Sequence, residues 1–333
     1  MELRPLTLTD TEAWSQLIAT AFNRTPTEAA SVWHWLNTNR NLVAWGAWEG
    51  EILAAQYSCL LRTLYLPTQQ STHVVGISTN MAVHPAYRGR GLVKQVAEPV
   101  YAALRERGVL AGVGFSNAEG VKVDQHSQGY GYRVVGALSS HLILLSGHGH
   151  RVHEQGASTK WSATALLPAP TLALAQPVAM WPRCIESMPT SQSEKICFHN
   201  SVDNLHHRFA AHPFRQYRFW VLRSPDGAAQ GVVVDRPTLL LGLTGSSLLA
   251  IYGQDGAEVL RHWAHAIRAK GVRFIRVLAT PYATALQALD KLGLSFKLQP
   301  RKPHYLTVKP LQADCPKGLF DLTQWDCLGG EVL

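Results

Sequence analysis

The residues best equipped for chemistry lie in one short run, Arg88-Gly89-Arg90-Gly91, with Lys94 three positions on. An apolar run ending at Val83 precedes them and an amphipathic run over 91–107 follows. A helix starting there presents several unpaired backbone N–H groups and the positive end of its dipole. The two glycines let those N–H groups approach a ligand without interference from a Cβ. With Arg88, Arg90 and Lys94 beside them, they form a receptacle for a phosphate or pyrophosphate. The plainer reading is a capped helix with an exposed basic turn. A P-loop is excluded because GxxxxGK[ST] is absent. A Rossmann fingerprint is excluded because position 94, where a third glycine would stand, is Lys.

The elements that must position this loop follow from periodicity. Strand-like alternation at 2–8 leads into helices at 11–22 and 27–37, then strands at 41–48, 51–66 and 74–83. A helix at 91–107, a strand at 109–115, a helix at 117–126 and a strand at 133–145 complete the first half. The order β-α-α-β-β-β-α-β-α-β predicts an α/β (α+β) unit, a mixed sheet flanked by helices. Residues 146–200 are polar, His-rich and then Pro-rich, and read as a connector. The second half echoes the first, with a helix at 255–270, a strand at 272–279, a helix at 282–291 and strand character at 296–308. Gly108 to Gly131 spans 131 − 108 = 23 positions, and Gly271 to Gly293 spans 293 − 271 = 22. This parallel supports a duplicated fold. The expected divisions are 1–145, a connector 146–200, a second domain 201–312 and a tail 313–333.

Composition fits that plan. A chain of 333 residues, 46% hydrophobic and 16% charged, has room for about two domains with real cores. Disordered, collagen-like and coiled-coil classes are excluded. The net charge of +8 suits a nucleic-acid binder or an enzyme handling a polyanionic cofactor. The five cysteines are widely spaced without a CxxC pair, a reduced pattern that is neither disulfide scaffold nor zinc ribbon. No signal peptide and no apolar run of about 18 residues is visible, so the expected location is cytoplasmic, without a membrane span. His148, His150 and His153 form an HxHxxH tract, read as a solvated loop, and no metal is expected.

The strand ending in Val83-His84-Pro85, then Tyr87-Arg88-Gly89-Arg90-Gly91-Leu92 and an amphipathic helix closing on Arg107-Gly108, resembles the acyl-CoA signature of the GNAT superfamily. The resemblance covers about 1–145, and the duplication is similar to that of two-repeat bacterial GNAT enzymes. It implies acetyl-CoA, or a related acyl-CoA, as co-substrate. The backbone N–H groups of Arg88, Gly89, Arg90, Gly91, Leu92, Val93 and Lys94 would hold its pyrophosphate. The strand backbone at Met81, Ala82 and Val83 would pair with the pantetheine arm, and Asn117 would lie beside it. Gly112 and Gly114 would admit the thioester; a weakened strand is the alternative. The partner implied is a small-molecule amine.

The chain departs from the family pattern in three respects. Val93 stands where Gly or Ala is usual, and Pro99 lies inside the helix and is expected to kink it. The carboxylate often found on the fourth strand is also absent from 73–84. Proton transfer would then fall to His73, His84, or water held by Ser78, Thr79 and Asn80. No Tyr precedes Gly129, so Tyr130 or His126 would act as acid, with Asp124 orienting or acting as base. Trp33, Trp35, Trp45 and Trp48 would border the acceptor pocket or pack the core. Asp255 at the second unit's helix start would repel phosphate, marking a degenerate repeat. The expected activity is N-acetyltransfer. A non-catalytic acyl-CoA sensor and a tRNA-dependent aminoacyl transferase remain as rivals, a DNA-binding protein ranks last for want of a helix-turn-helix or zinc signature, and homo-oligomerisation stays open.

Overall fold

Two sheets carry the fold, and each gathers its strands from both halves of the chain. A computed structural model describes residues 1–38, 41–125, 130–145, 162–166, 194–199, 202–224, 226, 229–253 and 255–331. The first half supplies β1 (Glu2–Pro5), α1 (Thr11–Phe22), α2 (Pro26–Asn37), β2 (Leu42–Glu49), β3 (Ile52–Leu66) and β4 (Ser71–Val83). It continues with α3 (Leu92–Glu106), β5 (Ala111–Ser116), α4 (Ala118–Gln125), β6 (Arg133–Ala137) and β7 (Ser139–Leu144). Then come β8 (Ser162–Leu166), β9 (Cys197–His199), α5 (Val202–Leu205) and a π-helical turn, His206–Ala210. The last part holds β10 (Arg218–Arg223), β11 (Ala229–Leu240), β12 (Leu243–Gly253), α6 (Gly256–Ala269), β13 (Phe274–Ala279), α7 (Thr284–Leu289), β14 (Leu294–Leu298) and β15 (Tyr305–Pro310). Among the described residues no helix is long and apolar enough to cross a membrane.

The first sheet runs β1-β2-β3-β4-β5-β15-β6, with β9 added along β3; the second runs β14-β7-β13-β12-β11-β10-β8. Each contains one parallel pair, β4 with β5 and β12 with β13. The helices face the cores through apolar stripes at helical spacing. Val96, Val100, Tyr101 and Leu104 of α3 are buried on the first sheet, and Val259, Leu260, Trp263 and Ile267 of α6 on the second. Pro99 does not end α3, which continues to Glu106.

One expected strand, 133–145, is two strands in different sheets. The chain changes sheet at Leu138, which is buried and donates its N–H to the His304 carbonyl at 2.8 Å. β7 crosses into the second sheet, and β15 returns to fill the gap between β5 and β6. The divisions at 145 and 201 therefore follow chain order and not sheet membership.

A buried charge cluster ties the ends of the molecule together. Glu331 accepts from Arg208 at 3.0 Å and from Arg62 of β3 at 3.5 Å. Burial pushes the Arg208 guanidinium down to about 10, opposed by the nearby Glu331 carboxylate. Without that carboxylate two guanidiniums would face each other out of water. Glu331→Gln is expected to lose roughly 3–5 kcal/mol of stability. Urea denaturation measures this, and an unchanged midpoint would contradict it.

Candidate active site

The basic loop is held in place from below. After β4 the Ala86 N–H bonds the His84 Nδ1 at 3.3 Å, and one 3-10 turn, Pro85–Tyr87, follows. The Tyr87 hydroxyl donates to Glu49 at 2.7 Å, which raises the tyrosine's pKa, and Arg90 lies 4.8 Å from the Tyr87 ring centre. Gly89 and Gly91 then adopt φ of 79° and 69°, a region that side chains disfavour. Gly91 is the residue before α3, and no side chain bonds the helix's first N–H groups. A Cβ built at either glycine would meet nothing within 4 Å. Arg88, Arg90 and Lys94 are exposed around this open space. α6 differs: the Asp255 carboxylate accepts from the N–H groups of Ala257 (3.1 Å) and Glu258 (3.0 Å). The helix start open to an anion is α3, and that of α6 is closed by its own side chain.

Beside the loop, the first sheet splits. β4 and β5 pair only through 75–77 and 111–113, and beyond Ile77 and Val113 they part. Asn80 takes φ of 49° where the β3–β4 register shifts, a bulge that re-aims the strand end. The split opens on a cleft of about 1100 Å³. One wall is Ser78–Met81 and Gly114–Asn117; the other is the second sheet, through Ser247–Leu249 and Arg276–Leu278.

Several expected site residues are committed elsewhere. A Cβ on Gly112 would fall 2.4 Å from the Tyr132 hydroxyl, and one on Gly114 2.5 Å from the Thr307 hydroxyl. These glycines leave room for the chain's own Tyr132 and Thr307, and Gly114 also lines the cleft. Tyr130 is 4% exposed and stacks on Tyr57 at 4.6 Å, among the buried tyrosines behind the sheet and away from the cleft lining. Asp124 lies in the last turn of α4; its side chain, and the whole of His126, fall outside the described residues, as do His148, His150 and His153. Asn117 lines the cleft and accepts the Gly120 N–H at 2.8 Å. Val93 packs against the α3 core. Of the four tryptophans, only Trp35 lines the cleft; it exchanges hydrogen bonds with His207 at 2.7 and 2.6 Å. Trp33 stacks on Trp14 at 4.7 Å, and Trp45 and Trp48 pack in the cores.

Four side chains on the cleft lining can accept a proton. Glu28 accepts the Thr25 N–H at 3.0 Å, and Glu119 pairs with Lys122 at 2.8 Å. The His212 Nδ1 takes the Phe214 and Arg215 N–H groups, and burial depresses that imidazole to about 4. His304 is different. The Phe115 backbone bonds its ring, its Nδ1 is buried without a partner, and burial holds its pKa below the ordinary value. His304 carries no motif; it reaches the cleft only because β15 enters the first sheet. Arg24, Arg215, Arg236 and Arg276 also line the cleft and were missed, coming from four separate segments.

Residues 2–133 match the family model described as an acetyltransferase (GNAT) domain. That match places a GNAT acetyltransferase domain at residues 2–133, about two fifths of the chain. Solved structures similar to the chain include a probable N-acyltransferase from Enterococcus faecalis (TM-score 0.67, 13% identity, 94% of this chain and 73% of that one). Another is Eis1 from Mycobacterium abscessus (TM-score 0.62, 15% identity, covering 93% and 74%). A tandem GNAT protein from the clavulanic acid biosynthesis pathway aligns over nearly the whole of both chains, 94% and 99%, at TM-score 0.51 and 11% identity. At these identities the likeness is one of fold. No curated protein matches the chain significantly. The α3 loop and the split sheet both lie within residues 2–133, and the second sheet repeats the split without the loop.

Proposed function

We propose that the chain is an N-acyltransferase that moves acetyl from acetyl-CoA to the primary amine of a small molecule. The observation that carries this reading is the uncapped α3 start, with Gly89 and Gly91 open to solvent, next to the parting of β4 and β5. The N–H groups from Arg88 to Lys94 would bind the pyrophosphate, assisted by the Arg88, Arg90 and Lys94 charges. The backbone of Met81, Ala82 and Val83, beyond the Asn80 bulge, would align the pantetheine arm, with Asn117 on its far side. When bound, acetyl-CoA supplies the thioester: the amine nitrogen forms a C–N bond as the C–S bond breaks, nitrogen loses a proton and sulfur gains one.

The chain must accept the proton that the ammonium group loses. His304 lines the cleft with an Nδ1 that has no partner but is covered in this structure, and we assign it that role on a turn of the ring toward the cleft, with Asp124 and His126 as the other candidates. Water held by Ser78, Thr79 and Asn80 is the alternative route. Tyr130, packed behind the sheet, is not assigned the role of acid.

Calorimetry with CoA tests the donor site. Arg88→Glu/Arg90→Glu is expected to weaken binding about 100-fold or more, since each substitution replaces an attraction to phosphate by a repulsion. Unchanged binding in that variant would reject the assignment. A sensor reading is favoured by the absence of a carboxylate on β4. CoA binding without thioester release on any amine would select it.

A further inference from the structure

The cleft lining carries five arginines and two glutamates. Both carboxylates are already engaged, Glu28 in its own helix cap and Glu119 with Lys122. Of the arginines, Arg208 is paired with Glu331, yet its Nη2 is buried with no hydrogen-bond partner. Arg24, Arg215, Arg236 and Arg276 have no carboxylate partner among the described residues. A cleft so charged repels a polycationic amine and attracts an anion.

Two of these arginines are placed by the sheet itself. Arg236 of β11 stands opposite Ser247 of β12, and Ser247 opposite Arg276 of β13. Residues directly opposite in a sheet share a face, so the three form one cross-strand row. That face is the one turned from α6 and α7, because Ile275 and Val277, the neighbours of Arg276, are buried in the core beneath those helices. Two strand spacings put the arginine backbones roughly 10 Å apart. The row is thus a pair of cations flanking a hydroxyl, on the wall opposite Ser78–Met81.

We propose that the acceptor is a small amine that also carries an anionic group, a carboxylate or a phosphate, bound by Arg236 and Arg276 with Ser247 between them. This rests on the N-acyltransferase reading and narrows it. The second sheet then holds the acceptor's charged end while the amine faces the split strands of the first. Guanidinium groups suit this task because they bond carboxylate and phosphate oxygens in pairs.

The test compares matched amines with saturating acetyl-CoA: phosphoethanolamine against ethanolamine, glucosamine 6-phosphate against glucosamine, and glutamate against spermidine. The anionic member should give the higher kcat/KM in every pair that turns over. Arg236→Ala/Arg276→Ala should raise its KM about tenfold or more and leave the neutral amine's nearly unchanged. A parallel titration of phosphoethanolamine and ethanolamine into the CoA-saturated protein reads binding without turnover, so it stands even if catalysis fails. If CoA itself does not bind, the N-acyltransferase reading fails, and phosphoethanolamine binding to the free protein still reports on the arginines. A preference for spermidine, equal treatment of both members of a pair, or an equal loss on all amines in the double variant overturns the proposal. So does a double variant that weakens CoA or tRNA binding and spares the phosphorylated amine, since the arginines would then serve those ligands.

Discussion

A chain ending at Leu298 is expected not to form its first sheet, although every helix and all other strands of that sheet lie before residue 200. The reason is the position of β15, which lies between β5 and β6 and bonds both. Its removal strips the partners from Ala111–Ser116 and Arg133–Ala137 together. It also deletes Leu306, Val308, Leu319 and Trp325, all fully buried in the cluster that includes Val75, Ile77 and Val113. Side chains of this kind contribute about 1.5–3 kcal/mol each, so four approach the whole stability of an ordinary domain, about 5–15 kcal/mol. The loss of Glu331 then removes the carboxylate that pairs with Arg62 and Arg208. Circular dichroism and a thermal melt would measure the result. A cooperative transition in the shortened chain, with CoA binding retained, would refute the argument.

His304→Gln is expected to lower kcat/KM by about 10²–10⁴, the usual contribution of a positioned general base, with CoA binding intact. The Phe115 backbone bonds the ring, and Nδ1, covered and without a partner in this structure, is the acceptor once the ring turns toward the cleft. Desolvation shifts the imidazole below its ordinary value of 6.5. It is therefore neutral and able to take a proton at pH 7, and it loses that ability as the pH falls through the lowered value. The wild-type profile of kcat/KM should show an acid limb below pH 6.5, and the variant should lack it. Equal rates and an unaltered limb in His304→Gln would assign the proton to water on Ser78, Thr79 and Asn80.

The parts of the site visible in the sequence are those made by neighbours in the chain. The basic loop before α3 is such a part, because two glycines, two arginines and a helix start are consecutive. The order of elements through α4 was also legible, since alternation and helical spacing are local signals. Residues 133–145 read as one strand because only Leu138, which is not a turn residue, separates β6 from β7 at the change of sheet. Which sheet a strand joins depends on partners more than a hundred positions away. The same limit hid His304 and the Arg236–Ser247–Arg276 row, whose members become neighbours only through register. Gly112 and Gly114 show a related limit: a missing Cβ signals a close approach but not what approaches, here Tyr132 and Thr307.

The exchange of β7 and β15 also sets a timetable. Ser116 is paired with Tyr305, so the first sheet waits for residues made roughly 190 positions later. At ordinary rates of synthesis that interval is roughly 10–40 seconds. Throughout it the growing chain presents β5 and β6 with open hydrogen-bonding edges, and β7 waits for a sheet not yet made. The basic loop and α3 are synthesised early, but the cleft beside them is completed only when the last strand arrives. The two sheets are thus begun in sequence and finished together, and a nascent chain stalled before β15 would be a ready substrate for chaperones or a seed for aggregation.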